Sequence, residues 1–333
     1  MLLRLSDYYC VRDKLLDGVL ASKLSSLLSG VSNLKRVQTH WDSKAVAGPG
    51  QRVRAFSEIP QVRKRIAKQY DGKDVITWIF DTYLRGKTGM RALSVGCGTG
   101  GPELQLAELA RGLGTFSNIT GFDLSPSSIE LANAGARSRG LDDVLTFTVG
   151  TIEQPPAGLP WGSFDAVFAF SSLHHLKHLR EHIVTIRRWL KTGGLLVAHE
   201  YIGPRRQQYS REEVALINSL FRSLPEKHRR DWHTGSVRSG VPIPSALLMW
   251  LYDPSETVEA DDIAPSIREC FSNVELHVEL GTLLVCLLKE IGHNFPADDP
   301  DATKTINALC DIELSLIESG LLAPHYATII ARA

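Results

Sequence analysis

The chain has 333 residues, of which 43% are hydrophobic and 22% charged, and its 37 basic and 37 acidic residues balance to a formal net charge of +0. This composition is typical of a globular protein with a sizeable core, and it lacks the basic excess of a nucleic-acid-binding domain. The five cysteines are scattered without a C-x-x-C pair, which indicates reduced thiols in a cytoplasmic protein rather than a disulfide framework.

The first 87 residues are predicted to form a helical extension. Leucines recur at helical spacing within residues 6–36, and Gly30 is a plausible end for that helix. Residues 40–56 are predicted to form a loop, because glycine and proline interrupt them at 48–50. A further helix is expected over 75–84. The extension is expected to serve as a lid over the active site or as a homodimer interface, with a simple cap on the sheet as the alternative.

From Met90 onward, short apolar runs alternate with helical segments, which predicts a parallel sheet covered on both faces. A helix is expected over 127–140 and another over 180–191, the latter ending before Gly193 and Gly194. The predicted strands are residues 91–96, 118–125, 145–150, 164–170 and 194–201.

This alternation stops after Gly203. Residues 204–230 are predicted to be helical, and residues 235–256 form a turn-rich stretch carrying Met249, Trp250 and Tyr252. These side chains either line an apolar pocket near the cleft or belong to ordinary core. The remaining predicted elements are a strand over 273–280, a helix over 303–320 and a strand over 325–333. We therefore predict a helical extension at 1–87, a nucleotide-binding core at 88–202, an insertion over the cleft at 203–272 and completing strands and helices at 273–333.

A glycine-rich loop follows the first predicted strand, where Gly96, Gly98 and Gly101 spell G-x-G-x-x-G. Glycine lets the backbone approach a ligand closely, and Pro102 suits the first turn of a helix. Asp123 ends the second strand, where a carboxylate can accept both ribose hydroxyls of a nucleoside. These residues fit NAD as well as another nucleoside cofactor, and a plain tight turn is the third reading.

Four motifs between residues 88 and 202 together resemble the class I S-adenosylmethionine-dependent methyltransferases. They are "LSVGCGTGG", "GFDLS", "FDAVFAFSSLHHL" and "LKTGGLLVAHE", and "EYIGPRRQQYS" is similar to a bacterial small-molecule subgroup. The resemblance implies an α/β fold with a Rossmann-like doubly wound sheet, mostly parallel with an antiparallel last strand.

The same resemblance implies methyl transfer from S-adenosyl-L-methionine to oxygen, nitrogen or carbon of a small molecule, with S-adenosyl-L-homocysteine as product. A role in bacterial secondary metabolism or surface-sugar biosynthesis is the finer expectation. The alternatives are an NAD(P)-dependent oxidoreductase and a non-catalytic protein that only binds the cofactor. No nucleic-acid or membrane partner is expected, since the apolar runs are far shorter than the ~20 residues that span a bilayer. Acidic Asp7 argues against a signal peptide.

By the same resemblance, the glycine loop holds the methionine portion of the cofactor, Asp123 the ribose and Leu124 the adenine. Thr151 stands where the family commonly carries Asp, so Thr151 or Glu153 is expected to contact the adenine amino group. The residues after the fourth strand are expected to face the sulfonium. The predicted cofactor-binding residues are Gly96, Cys97, Gly98, Thr99, Gly100, Asp123, Leu124, Thr151, Ile152, Glu153, Phe170, Ser171 and Ser172.

The predicted catalytic residues are His174, His175, Glu200 and Tyr201, and His199 is a further candidate base. They follow the fourth and fifth strands, where a base can take a proton from the acceptor, and histidine suits that task near neutral pH. The alternatives are histidines that pack at the sheet edge and a Glu200 that caps a nearby loop.

Two further groups of side chains each have a ligand-binding interpretation and a structural one. Arg205 and Arg206 could clamp a carboxylate or phosphate, or be solvated loop residues. His174, His178 and His182 are spaced to share one helix face, which suits zinc or iron, but a solvated face is favoured and no metal is predicted.

Overall fold

One mixed sheet of seven strands carries the fold of the computed structural model, which describes residues 31–47 and 56–333 together with Val11 and Lys23. The predicted helix over residues 6–36 and its end at Gly30 therefore lie mostly outside the described residues. The strands are β1 (Met90–Val95), β2 (Phe116–Asp123), β3 (Leu145–Val149), β4 (Phe164–Phe170), β5 (Leu190–Tyr201), β6 (Ser272–Glu279) and β7 (Tyr326–Arg332).

The strand order is β3-β2-β1-β4-β5-β7-β6. The first five strands pair in parallel, whereas β7 runs antiparallel to both β5 and β6. This confirms the predicted doubly wound sheet with an antiparallel last strand. The order reverses between β1 and β4, and such a switch point opens a crevice at the carboxyl ends of the strands.

Helices cover both faces of this sheet. Their bounds are α1 (Asn33–Ala47), α2 (Pro60–Gln69), α3 (Val75–Ile79), α4 (Gly101–Leu109), α5 (Pro126–Ser138), α6 (Leu179–Trp189), α7 (Arg211–Ser223), α8 (Ala246–Tyr252), α9 (Ile263–Cys270), α10 (Leu284–Leu287) and α11 (Pro300–Glu318). A π-helical turn, Phe80–Leu84, continues α3. No helix of the described part of the chain combines the length and apolarity needed to cross a membrane.

Three hydrophobic clusters hold these layers together. One joins α3, α4 and α5 to one sheet face through side chains such as Trp78 and Phe168. A second joins α6 and α9 to the other face, where Trp189 is 1% exposed. The third packs α2, α7, α10 and α11 around Phe221 and Phe295, away from the parallel strands. The carboxyl edge of the sheet thus lies between two cores and a separate helical cluster.

The loop predicted over residues 40–56 is wrong for its first half, because α1 continues to Ala47. The Gly-Pro-Gly sequence begins only at residue 48, directly after the last residue of this helix, and residues 48–55 lie outside the described part of the chain. Leu34, Val37 and Trp41 recur at helical spacing on this segment.

The helix predicted over residues 204–230 is shorter than expected. The helix α7 begins after Ser210, whose side chain and that of Glu213 form a reciprocal capping box, and it ends before Pro225. The turn-rich stretch over 235–256 contains the short helix α8, which Ser245 caps through the N–H of Leu248. Local capping chemistry thus set these boundaries more sharply than residue composition.

Candidate active site

A cavity of about 1030 Å³ opens at the carboxyl ends of β1, β2 and β4, at the switch point of the sheet. Twelve of the thirteen predicted cofactor-binding residues line it; the exception is Gly100. A Cβ on Gly100 would meet the Phe147 ring at 2.8 Å, so this glycine lets α4 approach β3 and does not face the cavity. The sequence motifs therefore converge on one cleft.

The glycine loop has the open backbone that a closely bound ligand requires. Gly96 has φ +67, and a Cβ there would lie 2.6 Å from the Cβ of Ser172. Gly98 has φ +53 and nothing within 4 Å of the place a Cβ would take, so its backbone faces open space in the cavity. A loop of this shape accepts a ligand directly against the main chain.

Asp123 closes β2 with its carboxylate at the cavity wall. Its oxygens accept the N–H of Gly98 at 3.0 Å and the N–H of Ser125 at 2.8 Å. Burial raises the pKa of Asp123, and these two hydrogen bonds only partly offset that effect. Each oxygen keeps acceptor capacity, so the side chain can bind a ribose hydroxyl.

Glu103 is a buried carboxyl beneath the same loop that the sequence motifs did not single out. The hydroxyl of Ser94 donates to it at 2.5 Å, and it is 0% exposed. Burial raises the pKa of Glu103 to about 7. The floor of the loop therefore carries a carboxyl that holds its proton far more readily than an exposed one.

The expected adenine contacts are both at the cavity wall, but their side chains already have partners. Glu153 pairs with His182 at 3.2 Å, and the hydrogen bond from His182 lowers the pKa of Glu153 to about 2. The Thr151 hydroxyl accepts the N–H of Gln154 at 3.1 Å. Their role in adenine recognition stays a prediction.

Helix α1 forms one wall of the cavity, which sequence reasoning missed at residue level. The Asp42 carboxylate accepts the Ser125 hydroxyl at 2.5 Å and the N–H of Ser127 at 3.3 Å, at the start of α5. Arg36 donates to the carbonyl of Leu251 at 2.9 Å. The lining residues from α1 are Asn33, Leu34, Val37, Trp41, Lys44 and Ala45. Their helical periodicity was the signal that could have found them.

Glu200, predicted to be catalytic, is 1% exposed and lines neither large cavity. Its carboxylate accepts the N–H groups of Ser172 at 2.7 Å and Leu173 at 2.8 Å, and the Nδ1 of His174 lies 2.7 Å from it. This is the loop-capping arrangement weighed as the alternative. Tyr201 is also buried, and its hydroxyl donates to the carbonyl of Pro204 at 3.2 Å.

The pKa values of the two adjacent histidines shift in opposite directions because their neighbours differ. Burial opposes protonation of His174, but Glu200 outweighs it and raises the pKa of His174. Burial and the neighbouring His174 lower the pKa of His175 to about 3, so His175 is neutral. Of the two, only His175 lines the first cavity, where its ring meets Trp41 edge-on at 5.0 Å.

A second cavity of about 840 Å³ lies beyond Ser171, which lines both spaces. Ser171 has φ +54, a conformation that is strained for a residue with a side chain and recurs at functional sites. The apolar part of the wall comes from Phe56, Ile66, Val75, Tyr209, Pro242, Pro244, Leu280, Val285 and Tyr326. The two cavities therefore meet at the end of β4.

His199 and Glu279 form an ion pair in the wall of this second cavity. The Nε2 of His199 lies 2.9 Å from Glu279 Oε1, and the Tyr70 hydroxyl donates to the same oxygen at 2.5 Å. Burial opposes protonation of His199, yet Glu279 outweighs it and raises the pKa of His199. Burial in turn opposes ionisation of Glu279, but His199, Tyr70 and Thr328 together lower the pKa of Glu279.

Two expectations about charged side chains are corrected. Arg205 pairs with Asp261 and Asp262, and Arg206 donates to three backbone carbonyls of the 253–256 segment, so both guanidinium groups are engaged within the chain. His174, His178 and His182 share no helix face either.

The three histidines do not align because α6 begins only after His178. His174 lies in a 3-10 turn, and His178 precedes α6 with φ 53, so only His182 belongs to the helix. The left-handed residue before α6 breaks the spacing that would have aligned the three rings.

Residues 93–198 match the family described as a methyltransferase domain. This part of the chain, which contains the parallel strands, is thus similar to a methyltransferase domain, in agreement with the predicted class. The match also argues against the oxidoreductase alternative.

Curated relatives share mainly this core. Sterol 24-C-methyltransferase ERG6B of Gibberella zeae is 34% identical over 116 residues, which are 35% of this chain and 29% of that protein. Sterol 24-C-methyltransferase of Debaryomyces hansenii is 26% identical over 244 residues, covering 69% of this chain and 62% of that protein. Squalene methyltransferase 2 of Botryococcus braunii is 29% identical, covering 45% and 38%. The chain spans 29% of the length of the first of these relatives.

Two solved structures are similar along most of the chain. The [4+2]-cyclase SpnF is 20% identical with a TM-score of 0.48, covering 89% of this chain and 93% of that one. Geranyl diphosphate C-methyltransferase from Streptomyces coelicolor A3(2) is 13% identical with a TM-score of 0.48, covering 91% and 97%.

Proposed function

We propose that the chain transfers a methyl group from S-adenosylmethionine to a small molecule that binds in the second cavity. The observation that carries this proposal is that two cavities share Ser171 as a lining residue, one built by the methyltransferase motifs and the other mainly by residues within 56–75, 199–209, 242–244 and 279–290 together with Tyr326. Gly98 and Asp123 lie at the wall of the first cavity, where they fit a nucleoside that packs directly against the protein backbone.

When bound in the first cavity, the cofactor would supply a methyl group attached to a sulfonium sulfur, and this sulfur is a good leaving group. The chain's own task is to align the acceptor and to manage its proton. In the neutral form of His199, Nε2–H donates to Glu279 and Nδ1 can accept a proton from the acceptor, so this role requires the deprotonated ring. We assign His199 this role ahead of Glu200 and Tyr201, since His199 lines the cavity and they do not. Of the two predicted histidines, only His175 lines the first cavity, so His175 is the one that can contact a ligand there.

The second cavity favours an acceptor with an apolar body. Apolar side chains account for about half of the lining residues and suit an apolar body, while the polar half, which includes Arg63, Lys73 and Glu290, can accommodate a polar group of the acceptor. The sterol and squalene methyltransferases named above act on apolar molecules according to their names, which agrees with this choice. We therefore propose an apolar natural product over a surface sugar, with the acceptor atom and a bacterial pathway left as predictions.

Calorimetric titration with S-adenosylmethionine, S-adenosylhomocysteine and NADH tests the cofactor assignment. Both sulfur nucleosides should bind, and Asp123→Asn should weaken their affinity by about tenfold or more, because a charge-assisted hydrogen bond contributes ~1.5–3 kcal/mol. Asp142→Asn, a change at an exposed carboxylate on the β3 side, is the matched control and should bind like wild type. Binding of NADH alone would overturn the proposal.

Transfer itself is tested with methyl-labelled cofactor and a panel of apolar alcohols, phenols, amines and alkenes. Label should move to at least one acceptor, and His199→Gln should slow that transfer while leaving cofactor affinity unchanged. Tight cofactor binding with no transfer to any acceptor would favour the non-catalytic alternative.

A further inference from the structure

Two histidines and a carboxylate that are far apart in sequence meet beside the first cavity. His174 and His175 lie in the turn after β4, and Glu256 lies in the segment after α8. One ligand atom from each lies within 4.8 Å of the other two. The rings of His174 and His175 are 4.1 Å apart between centroids. This group shares only His174 with the sequence spacing of His174, His178 and His182.

His174 is held in the orientation of a metal-binding histidine. Its Nδ1 donates to the buried Glu200 at 2.7 Å, so the lone pair of the neutral ring is on Nε2. Glu200 is itself fixed by the N–H groups of Ser172 and Leu173. A carboxylate behind a histidine is the usual support of a metal ligand, because it sets the tautomer and the ring orientation.

His175 has a second support of the same kind. Its Nδ1 lies 3.2 Å from the hydroxyl of Ser255, which donates to Asp253 at 2.6 Å. Since the hydroxyl proton points to Asp253, the ring donates from Nδ1 and keeps the Nε2 lone pair. A carboxylate therefore supports each histidine: Glu200 contacts His174 directly, and Asp253 is connected to His175 through Ser255.

The segment that carries Glu256 is anchored against the histidine turn. Arg206 donates to the carbonyls of Asp253 at 3.2 Å, Pro254 at 2.8 Å and Glu256 at 3.0 Å. The N–H of Val258 donates to the carbonyl of His174 at 3.0 Å. These backbone bonds hold Glu256 near the histidines, and its carboxylate accepts a long hydrogen bond of 3.4 Å from the side-chain amide of Gln207.

We propose that His174, His175 and Glu256 bind one divalent transition-metal ion at the edge of the cofactor cavity. Two imidazoles and one carboxylate suit Zn²⁺, Fe²⁺, Mn²⁺ or Co²⁺, whereas Mg²⁺ and Ca²⁺ prefer oxygen ligands throughout. Three protein ligands leave coordination positions for water or an acceptor oxygen. Because His175 and Ser255 line the first cavity, the ion lies beside the place where the cofactor binds.

Titration of the chelator-treated full-length chain with Zn²⁺, Mn²⁺ and Co²⁺ in the absence of cofactor tests the site. We expect one ion per chain, with affinity lowered at least about tenfold by Glu256→Gln and by His175→Gln. The Co²⁺ complex should show visible d–d absorption that both variants lose. The matched controls are His178→Asn, at an exposed histidine of the same turn, and Glu212→Gln, at an exposed glutamate of α7; both should bind like wild type.

Circular dichroism establishes that each variant is folded. X-ray absorption of the wild-type zinc complex adds a readout that needs no variant, and it should show two histidine nitrogens at about 2.0–2.1 Å. Absence of saturable binding, or equal affinity in wild type, E256Q and H175Q, would overturn the site. Because cofactor and acceptor are absent from these measurements, the result does not depend on the proposed methyl transfer.

Discussion

Glu200 and Glu279 show how the partners of a single buried carboxylate decide what it does. Each lies at the end of a strand and each holds a histidine. The Glu200 carboxylate also accepts hydrogen bonds from backbone N–H groups of the turn after β4, so it positions that turn. Glu279 accepts from Tyr70 and Thr328 instead, and its histidine reaches a cavity. The first is a positioning residue, and the second tunes a group that can meet the acceptor.

The pKa of His199 is predicted to depend on Glu279. NMR titration of wild type should give a pKa for His199 above its ordinary ~6.5, and Glu279→Gln should bring it below that value, because burial then acts without the compensating charge. Glu275→Gln, on the same strand but paired with Tyr83, is the control and should leave it raised. An unshifted His199 in E279Q would contradict the assignment.

The same pair makes stability depend on pH. The raised folded pKa of His199 means that its contribution is complete below the unfolded value of ~6.5 and is lost as pH rises through the folded pKa. The lowered pKa of Glu279 means that its contribution is complete above its unfolded ~4.3 and is lost as pH falls through the folded pKa. In E279Q the pKa of His199 lies below its unfolded value, so the sign of the His199 contribution reverses: denaturant unfolding should show that E279Q loses stability as pH falls below ~6.5, where the wild-type His199 contribution is complete.

At the scale of elements, α1 explains how a cavity on an open sheet edge becomes enclosed. The helix lies against α5, and its apolar residues form one wall of the cofactor cavity. Arg36 stacks 4.7 Å over the Trp250 ring of α8, so one helix joins the region before the sheet to the segment after β5. The lid, the homodimer interface and the domain boundaries all remain predictions.

Asp42→Ala is predicted to loosen this lid. The substitution removes the hydrogen bonds to Ser125 and Ser127 at the start of α5. Loss of such charged hydrogen bonds at a half-buried site should weaken the contact between α1 and α5 by about 1–2 kcal/mol. Cofactor should dissociate roughly tenfold faster in stopped-flow displacement, with little change in overall stability. Ser43→Ala, at the exposed neighbour, should dissociate like wild type; equal rates in both variants would show that α1 does not gate the cavity.

At the scale of the whole molecule, helix α11 supports the wall of the second cavity without lining it. Glu313 of α11 is 0% exposed and accepts four backbone N–H groups, those of Gly281, Thr282, Leu283 and Leu284. That segment joins β6 to α10 and contributes Leu280 and Val285 to the cavity wall. One carboxylate thus ties the C-terminal helix to the site.

Glu313→Gln should destabilise the fold by about 3 kcal/mol, because its amide nitrogen cannot accept two of the four N–H groups and leaves them buried without a partner. Urea unfolding measures this change. Glu318→Gln, at an exposed position of the same helix, should unfold like wild type. Comparable midpoints for the two variants would contradict the tying role of Glu313.

Short-range features of the sequence determined the class of this protein. The glycine loop, Asp123 and the residues after β4 are each contiguous stretches at a strand end, and parallel strands bring their carboxyl ends together at one edge. Motif order alone therefore predicted the doubly wound sheet and nearly all of the cofactor wall. Gly100 departs from this because its backbone conformation serves helix packing rather than the ligand.

Only the tertiary structure decided the remaining features, because they depend on contacts between segments that are distant in sequence. His199 meets Glu279 through the pairing of β5, β7 and β6, and Glu256 reaches the histidine turn through bonds to Arg206. Whether Glu200 faces an acceptor or a backbone turn is likewise set by side-chain direction at the strand end. Such pairings leave no local pattern, so residue type and spacing predicted the lining of the first cavity, while three-dimensional packing formed the second cavity and the proposed metal-binding group of His174, His175 and Glu256.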